Sequence, residues 1–171
     1  VWRARLSYSA AMDIEVNIED PRWADAEIGA LAERACAATF AYLELGADWS
    51  ISILACDDAR IAGLNETFRA QSKATNVLAW PSAERAAQVR GDRPLPPDPG
   101  DPELGDIGIS YDTMRRESSA AGIPLDDHCL HLICHALLHC LGYDHIDDKD
   151  AAIMEATEVE VLATLGVADP Y

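Results

Sequence analysis

The chain has 171 residues, room for one domain with a real core, and its 49% hydrophobic share is that of an ordinary globular protein rather than a disordered one. No apolar run approaches the ~20 residues of a membrane span. The formal charge of −17, with only two lysines (Lys73 and Lys149), by itself argues against a nucleic-acid partner held by a broadly basic face. Cys36, Cys56, Cys129, Cys134 and Cys140 form no C-x-x-C pair, which fits free, mostly buried thiols in a reducing cytosol and so a cytoplasmic protein.

Residues 1–12 read as a poorly ordered extension ahead of a single domain spanning 13–171. Val1 to Ala11 has neither the apolar core of a secretory signal nor any periodic apolar pattern, so residues 1–11 are expected to be dispensable for stability. Asp13–Glu19 alternates with period two, as a half-buried strand does. Asp20-Pro21 opens a turn or helix. The Ala/Leu/Glu-rich run from Asp25 to Leu45 reads as a helix ended by Gly46. Trp49–Ala55 is a second strand, and Asp57-Asp58 caps a helix running to Arg69. Thr75–Trp80 is a third strand, stopped by Pro81. Residues 82–103 break the pattern: Arg93 to Pro102 holds five of the nine prolines, which rules out helix and central strand. This long loop reads as a mobile insertion in preference to a substrate-gating flap. Ile107–Ser110 is a short fourth strand, and Tyr111–Ala121 is a helix ended by Gly122. Pro124 and Asp126 open a helix to Leu141. A last helix starts near Asp147 or Asp148 and closes at Gly166. The order is βαβαβ–loop–βααα, with strand order not readable from the residues.

All five histidines (His128, His131, His135, His139 and His145) fall within 18 residues, too tight a cluster for chance surface placement. His135 and His139 are four apart, so both imidazoles project from one helix face. Gly142 can take the left-handed conformation that reverses the chain and brings His145 back toward them. Three neutral imidazoles converging on one point make a divalent-metal site, zinc first among candidates, with a fourth position open to water. His131 is a candidate for holding a ligand in place or touching substrate, and His128 reads as a helix-start residue. Cys140 is a poor fourth ligand, because its side chain points about 100° away from that of His139. The spacing also fits metzincin peptidases, but those need a Glu base directly after the first His, where this chain has Ala136.

The stretch from His131 to the end resembles the YbeY family of bacterial endoribonucleases, whose signature is H-G-x-L-H-L-x-G-Y-D-H. The match runs through His135, Leu138, His139, Gly142, Tyr143, Asp144 and His145, and departs at Ala136 and Cys140. Lys73–Pro81 resembles the family's K-P-T-N-V-L-S-F-P, with Arg69 standing where the family has its active-site arginine. Leu104–Ile109 resembles its L-G-D-I-x-I strand, and Met154–Glu155 through Leu165–Gly166 to Asp169–Tyr171 fits its tail. The resemblance covers about residues 13–171. It implies an α+β fold: a four-stranded mixed sheet packed with about five helices, the zinc site lying on a central helix and the turn after it. It also implies one Zn2+ per chain on His135, His139 and His145, with Arg69 as the catalytic residue. The implied activity is single-strand-specific endoribonuclease, by metal-assisted phosphodiester hydrolysis, in small-subunit rRNA maturation and ribosome quality control. Single-stranded RNA, rRNA and the small ribosomal subunit are the implied partners, without a membrane. Arg69 and Lys73 would supply local positive charge on an acidic surface. Asp144 would orient a ligand or cap the turn, and Asp106 would bond backbone near the cleft. The alternatives are a zinc hydrolase of another class, such as a peptidase, disfavoured by Ala136, and a non-catalytic ribosome-assembly factor, disfavoured by a three-ligand site.

Overall fold

The computed structural model describes residues 12–171, so the expectation for residues 1–11 lies outside the described residues. The expected strands become β1 (Asp13–Ile18), β2 (Ser50–Cys56), β3 (Val77–Pro81) and β4 (Glu103–Ser110) of one sheet, in the order β1-β2-β4-β3. β1 and β4 each run parallel to β2, while β3 pairs antiparallel with β4 and leaves one edge open. Among the described residues six helices accompany the sheet, in place of the five or so expected: α1 (Arg22–Asp25), α2 (Ile28–Tyr42), α3 (Asp58–Arg69), α4 (Tyr111–Ala121), α5 (Leu125–Cys140) and α6 (Asp148–Thr164). The fold is α+β with a mixed four-stranded sheet.

Alternation along β2 divides the interior. Ile51, Ile53 and Ala55 face the main core with Ile107 and Ile109 of β4, under α2 and α5. Leu54 and Cys56 face the other side, where Ile61 of α3 and Leu78 of β3 complete a smaller cluster. α5 is buried on most of its circumference, from Cys129 and Leu130 to Leu138 and Cys140. A helix apolar on nearly all sides belongs at the centre of a fold, and here its histidine stripe is the exception.

Several boundaries moved for tertiary reasons. The helix expected from Asp25 to Leu45 is split: α1 precedes it, Glu27 adopts a left-handed φ of 53°, and α2 starts at Ile28. The break lets Trp23 bury completely and donate from Nε1 to the Cys56 carbonyl at 2.9 Å, while α2 aims Ile28, Leu31 and Ala35 at the core. β3 starts at Val77 and admits Pro81, which an edge strand tolerates. β4 begins at Glu103, four residues before the expected Ile107, because Gly105 pairs with Pro81 and a bulge between Ser50 and Ser52 absorbs the irregular register. The Asp106 side chain is exposed, and no hydrogen bond to backbone is found for it among the described residues, contrary to expectation.

The segment 82–102 contains neither helix nor strand, as expected, but it is tied down. Gly91 donates its N–H to Asp150 Oδ1 at 2.7 Å, and Arg90 pairs with Asp147 at 2.6 Å, both at the start of α6. Arg85 donates to the carbonyls of Leu104 and Cys140 at 3.2 and 3.1 Å, joining the segment to β4 and to the end of α5. Among the described residues no helix is long and apolar enough to cross a membrane.

Candidate metal centre and cleft

The last two turns of α5 carry His135 and His139, whose ring centroids are 4.7 Å apart. Leu141 ends the helix and Gly142 takes φ +100°. The chain then turns back, and His145 comes within 5.2 Å of His135 and 4.9 Å of His139, centroid to centroid. Glycine is required at the turn for a second reason: a Cβ there would sit 2.3 Å from the Arg85 carbonyl oxygen. One ligand atom from each of the three histidines lies within 4.8 Å of the others, so the group can hold a metal ion.

The outward nitrogens are already assigned. His135 Nδ1 lies 3.0 Å from Glu158 Oε2, and His139 Nδ1 lies 3.0 Å from the Tyr143 carbonyl. Both acceptors place the proton on Nδ1 and turn the Nε2 lone pairs inward, 3.2 Å apart. Two lone pairs facing each other repel unless a cation lies between them. Tetrahedral ligation with arms of about 2.0–2.1 Å separates two nitrogens by about 3.3 Å, so the pair fits a zinc-sized ion. Burial, followed by the neighbouring His135 and His145, pushes the His139 imidazole down to about 4, so it is neutral at pH 7 and able to ligate. The Cys140 thiol is buried and pushed up to about 12 by that burial; it is not part of the group.

His131, His135 and Glu158 also lie within ligating distance of one another. Glu158 has no exposed surface; Oε2 accepts from His135 Nδ1 and from the Tyr171 hydroxyl, while Oε1 lies against His131 Nε2 without a hydrogen bond. Burial alone would raise this carboxyl; the contacts with His131 and His135 outweigh it and hold it down to about 2. Through Oε2 this carboxylate accepts from His135 and Tyr171, which places it behind the histidine ring to support it. His128, in the first turn of α5 as expected, is buried and pairs with Glu117 at 2.7 Å. Asn76 donates to the same carboxylate at 3.1 Å, tying the approach to β3 to α5.

The three histidines open into a cleft of about 650 Å3 between α5 and the free edge of β3. Arg69, the last residue of α3, reaches this cleft and donates to the Ala79 carbonyl at 3.1 Å; among the described residues its other N–H groups have no partner. Arg85 also lines the cleft. Lys73 is exposed and is not among the cleft-lining residues; its carbonyl accepts from Asn65. Asp144 accepts the backbone N–H of the next residue, His145, at 2.7 Å. Ala136 is fully buried at the cleft floor and offers no base. Glu158, Glu117 and Arg85 escaped the sequence reading. Only Glu158 left a trace there: it falls in helical phase with the apolar Met154, Val161 and Leu162, where a charge is out of place.

Fold and site together define an α+β protein with a three-histidine centre able to take a metal ion at the wall of an open cleft. The sequence model of the family described as "Endoribonuclease YbeY" matches residues 13–166. A Ruegeria sp. (strain TM1040) protein named Endoribonuclease YbeY is 52% identical over 164 residues, covering 94% of this chain and 96% of the relative. A Paracoccus denitrificans protein of the same name is 51% identical over 158 residues, covering 92% and 89%. The solution structure of TM1509 from Thermotoga maritima shares the fold, with a TM-score of 0.58 at 19% identity over 87% of this chain and 86% of that one. The chain belongs to the YbeY endoribonuclease family.

Proposed function

We propose that the protein is a zinc-dependent, single-strand-specific endoribonuclease of small-subunit rRNA maturation and ribosome quality control, working in the cytoplasm as one domain over residues 13–171. The observation that carries this reading is the convergence of His135, His139 and His145 on one point of a cleft that Arg69 also enters, in a chain of this family. When bound, zinc supplies Lewis acidity and lowers the pKa of a water from about 15.7 toward about 7. The three imidazoles hold that charge at the cleft wall, Glu158 and the Tyr143 carbonyl keep two of the rings aimed, and Arg69 stabilises the extra negative charge on the phosphoryl oxygens in the transition state. Ala79 orients the guanidinium by accepting one of its hydrogen bonds. The acidic remainder of the surface supports this division of labour, since RNA is held at the cleft by local cations rather than by the far field.

The test is single-turnover cleavage of an unstructured RNA at fixed salt, with metal content measured in parallel. Replacing His135, His139 and His145 together by alanine removes both zinc and cleavage. Arg69→Ala keeps zinc and fold but cleaves about 100-fold more slowly or worse, as for loss of a transition-state donor. Undiminished zinc in the triple variant overturns the ligand assignment. Wild-type turnover in Arg69→Ala removes that residue from the mechanism. Products ending in a 2′,3′-cyclic phosphate identify the RNA 2′-hydroxyl as nucleophile, and products carrying a 5′-phosphate beside a 3′-hydroxyl identify water.

A further inference from the structure

The buried face of α6 is apolar at Met154, Val161 and Leu162, and position 158 belongs to that same face. A leucine there would satisfy the fold. The chain instead places a glutamate with no exposed surface. Burying a carboxylate is costly unless it is paired and hydrogen-bonded, and a buried ion pair seldom stabilises a fold more than apolar packing of the same volume. The charge therefore calls for a reason other than folding.

Its contacts supply one. Oε2 lies 3.0 Å from His135 Nδ1 and accepts from the Tyr171 hydroxyl at 3.0 Å, while Oε1 touches His131 Nε2. The Tyr171 ring stands edge-on to His131, centroids 6.2 Å apart, so both rings pack beside the same carboxylate. Neither Glu158 nor His131 lines the cleft. Glu158 reaches the centre only through the back of the His135 ring, whose Nε2 faces His139 on the cleft side. The other α5 ligand, His139, leans on a neutral backbone carbonyl. His135 is thus the ligand backed by a buried charge.

We propose that Glu158 is the positioning residue of the metal centre: it fixes the proton of His135 on Nδ1, orients the ring, and raises the basicity of Nε2 toward the ion, with Tyr171 and His131 holding the carboxylate in register. This rests on the reading that His135, His139 and His145 hold the metal. Tyr171 acts one step further out than Glu158, so its removal has a smaller effect of the same sign.

The experiment measures zinc affinity by competition with a chromophoric chelator, and thermal unfolding of the metal-free and zinc-saturated protein. The proteins compared are wild type, Glu158→Gln, Glu158→Asp, Tyr171→Phe, Val161→Ala and His139→Ala. Glu158→Gln keeps the volume and removes the charge. It is expected to bind zinc 10–100-fold more weakly, the usual loss for a residue supporting a metal-bound histidine, while its metal-free melting temperature holds or rises. Glu158→Asp recovers part of the affinity, and Tyr171→Phe loses less than Glu158→Gln. Val161→Ala, a packing change on the same helix, melts earlier but binds zinc as wild type does. Wild-type affinity in Glu158→Gln overturns the proposal, as does a loss matched by Val161→Ala at equal loss of stability. If Glu158→Gln does not fold, wild-type affinity in both Glu158→Asp and Tyr171→Phe overturns it instead. His139→Ala separates the two readings. Zinc bound at wild-type affinity there sinks the three-histidine site and this inference with it; zinc lost there but unchanged in Glu158→Gln sinks only the role given to Glu158.

Discussion

Replacing Gly142 by alanine tests how the turn after α5 builds the centre. The added Cβ would lie 2.3 Å from the Arg85 carbonyl oxygen, 2.5 Å from its carbonyl carbon and 2.9 Å from its Cβ, and both of the nearest atoms are backbone. The 82–86 segment must retreat by about 1 Å to reach ordinary contact. That retreat draws the Arg85 guanidinium away from the Leu104 and Cys140 carbonyls. A φ of +100° costs an L-residue about 1–2 kcal/mol, and the two weakened hydrogen bonds cost about 1 kcal/mol each. The reduced freedom of the unfolded chain returns about 0.4–1 kcal/mol. The net loss is about 2–3.6 kcal/mol, a fall in melting temperature of about 4–14 °C for a domain of this size. Zinc affinity should fall as well, because His145 follows the turn. Gly63→Ala is the control: a Cβ at this α3 position meets nothing within 4 Å, and alanine there should stabilise by up to about 1 kcal/mol. Urea unfolding and zinc competition read both variants. A Gly142→Ala protein with wild-type stability and affinity would refute the packing argument, since neither the clash nor the backbone strain would then be real.

Removing Asp58 should cost about 1–3 kcal/mol in urea unfolding at neutral pH, because its carboxylate receives Ser110 and Thr113 hydroxyls, both at 2.6 Å, and Arg116 at 2.9 Å, joining β4 and α4 to the start of α3. Burial works to raise this carboxyl, but the bonds from Ser110, Thr113 and Arg116 outweigh it and hold it below its usual 3.8. A depressed carboxyl contributes its stability above the unfolded value and loses it as pH falls through the folded one. The gap between wild type and Asp58→Ala should therefore be flat from pH 5 to pH 8 and close below about 3.8; a gap that widens on acidification contradicts the network. Stripping the metal with a chelator should lower the melting temperature, since zinc at about 100 times its dissociation constant adds about 2.7 kcal/mol. The protein with alanine at His135, His139 and His145 should show no such shift, and a chelator effect that survives in it would place the ion elsewhere.

The parts legible in the sequence are those set by neighbours along the chain. Helical phase puts His135 and His139 on one face, and Gly142 licenses the reversal that returns His145, so the three histidines that the fold brings together are found within 11 consecutive residues. The capping aspartates Asp57 and Asp147 likewise start their helices through bonds to Arg60 and Lys149 N–H groups only two or three residues on. Period-two alternation places β1, and neighbouring breakers such as Pro81 bound the other strands.

What the tertiary structure decided involves partners far apart in sequence. The sheet order β1-β2-β4-β3 and the early start of β4 follow from pairing across the sheet, and the split between α1 and α2 follows from Trp23 finding the Cys56 carbonyl. Arg69 ends a helix in the sequence, and it enters the cleft only because β3 lies at the sheet edge beside α5. The Pro-rich segment read as mobile is held by Arg85, Arg90 and Gly91, whose partners on α5 and α6 are 55 to 59 residues away. Glu158 shows the limit most clearly. Periodicity marks it as a charge on an apolar face, but its meaning depends on His135, 23 residues earlier on another helix, and on Tyr171 folding back from the end of the chain. Local periodicity encodes which atoms share a face; which faces meet is decided by the packing of the whole core.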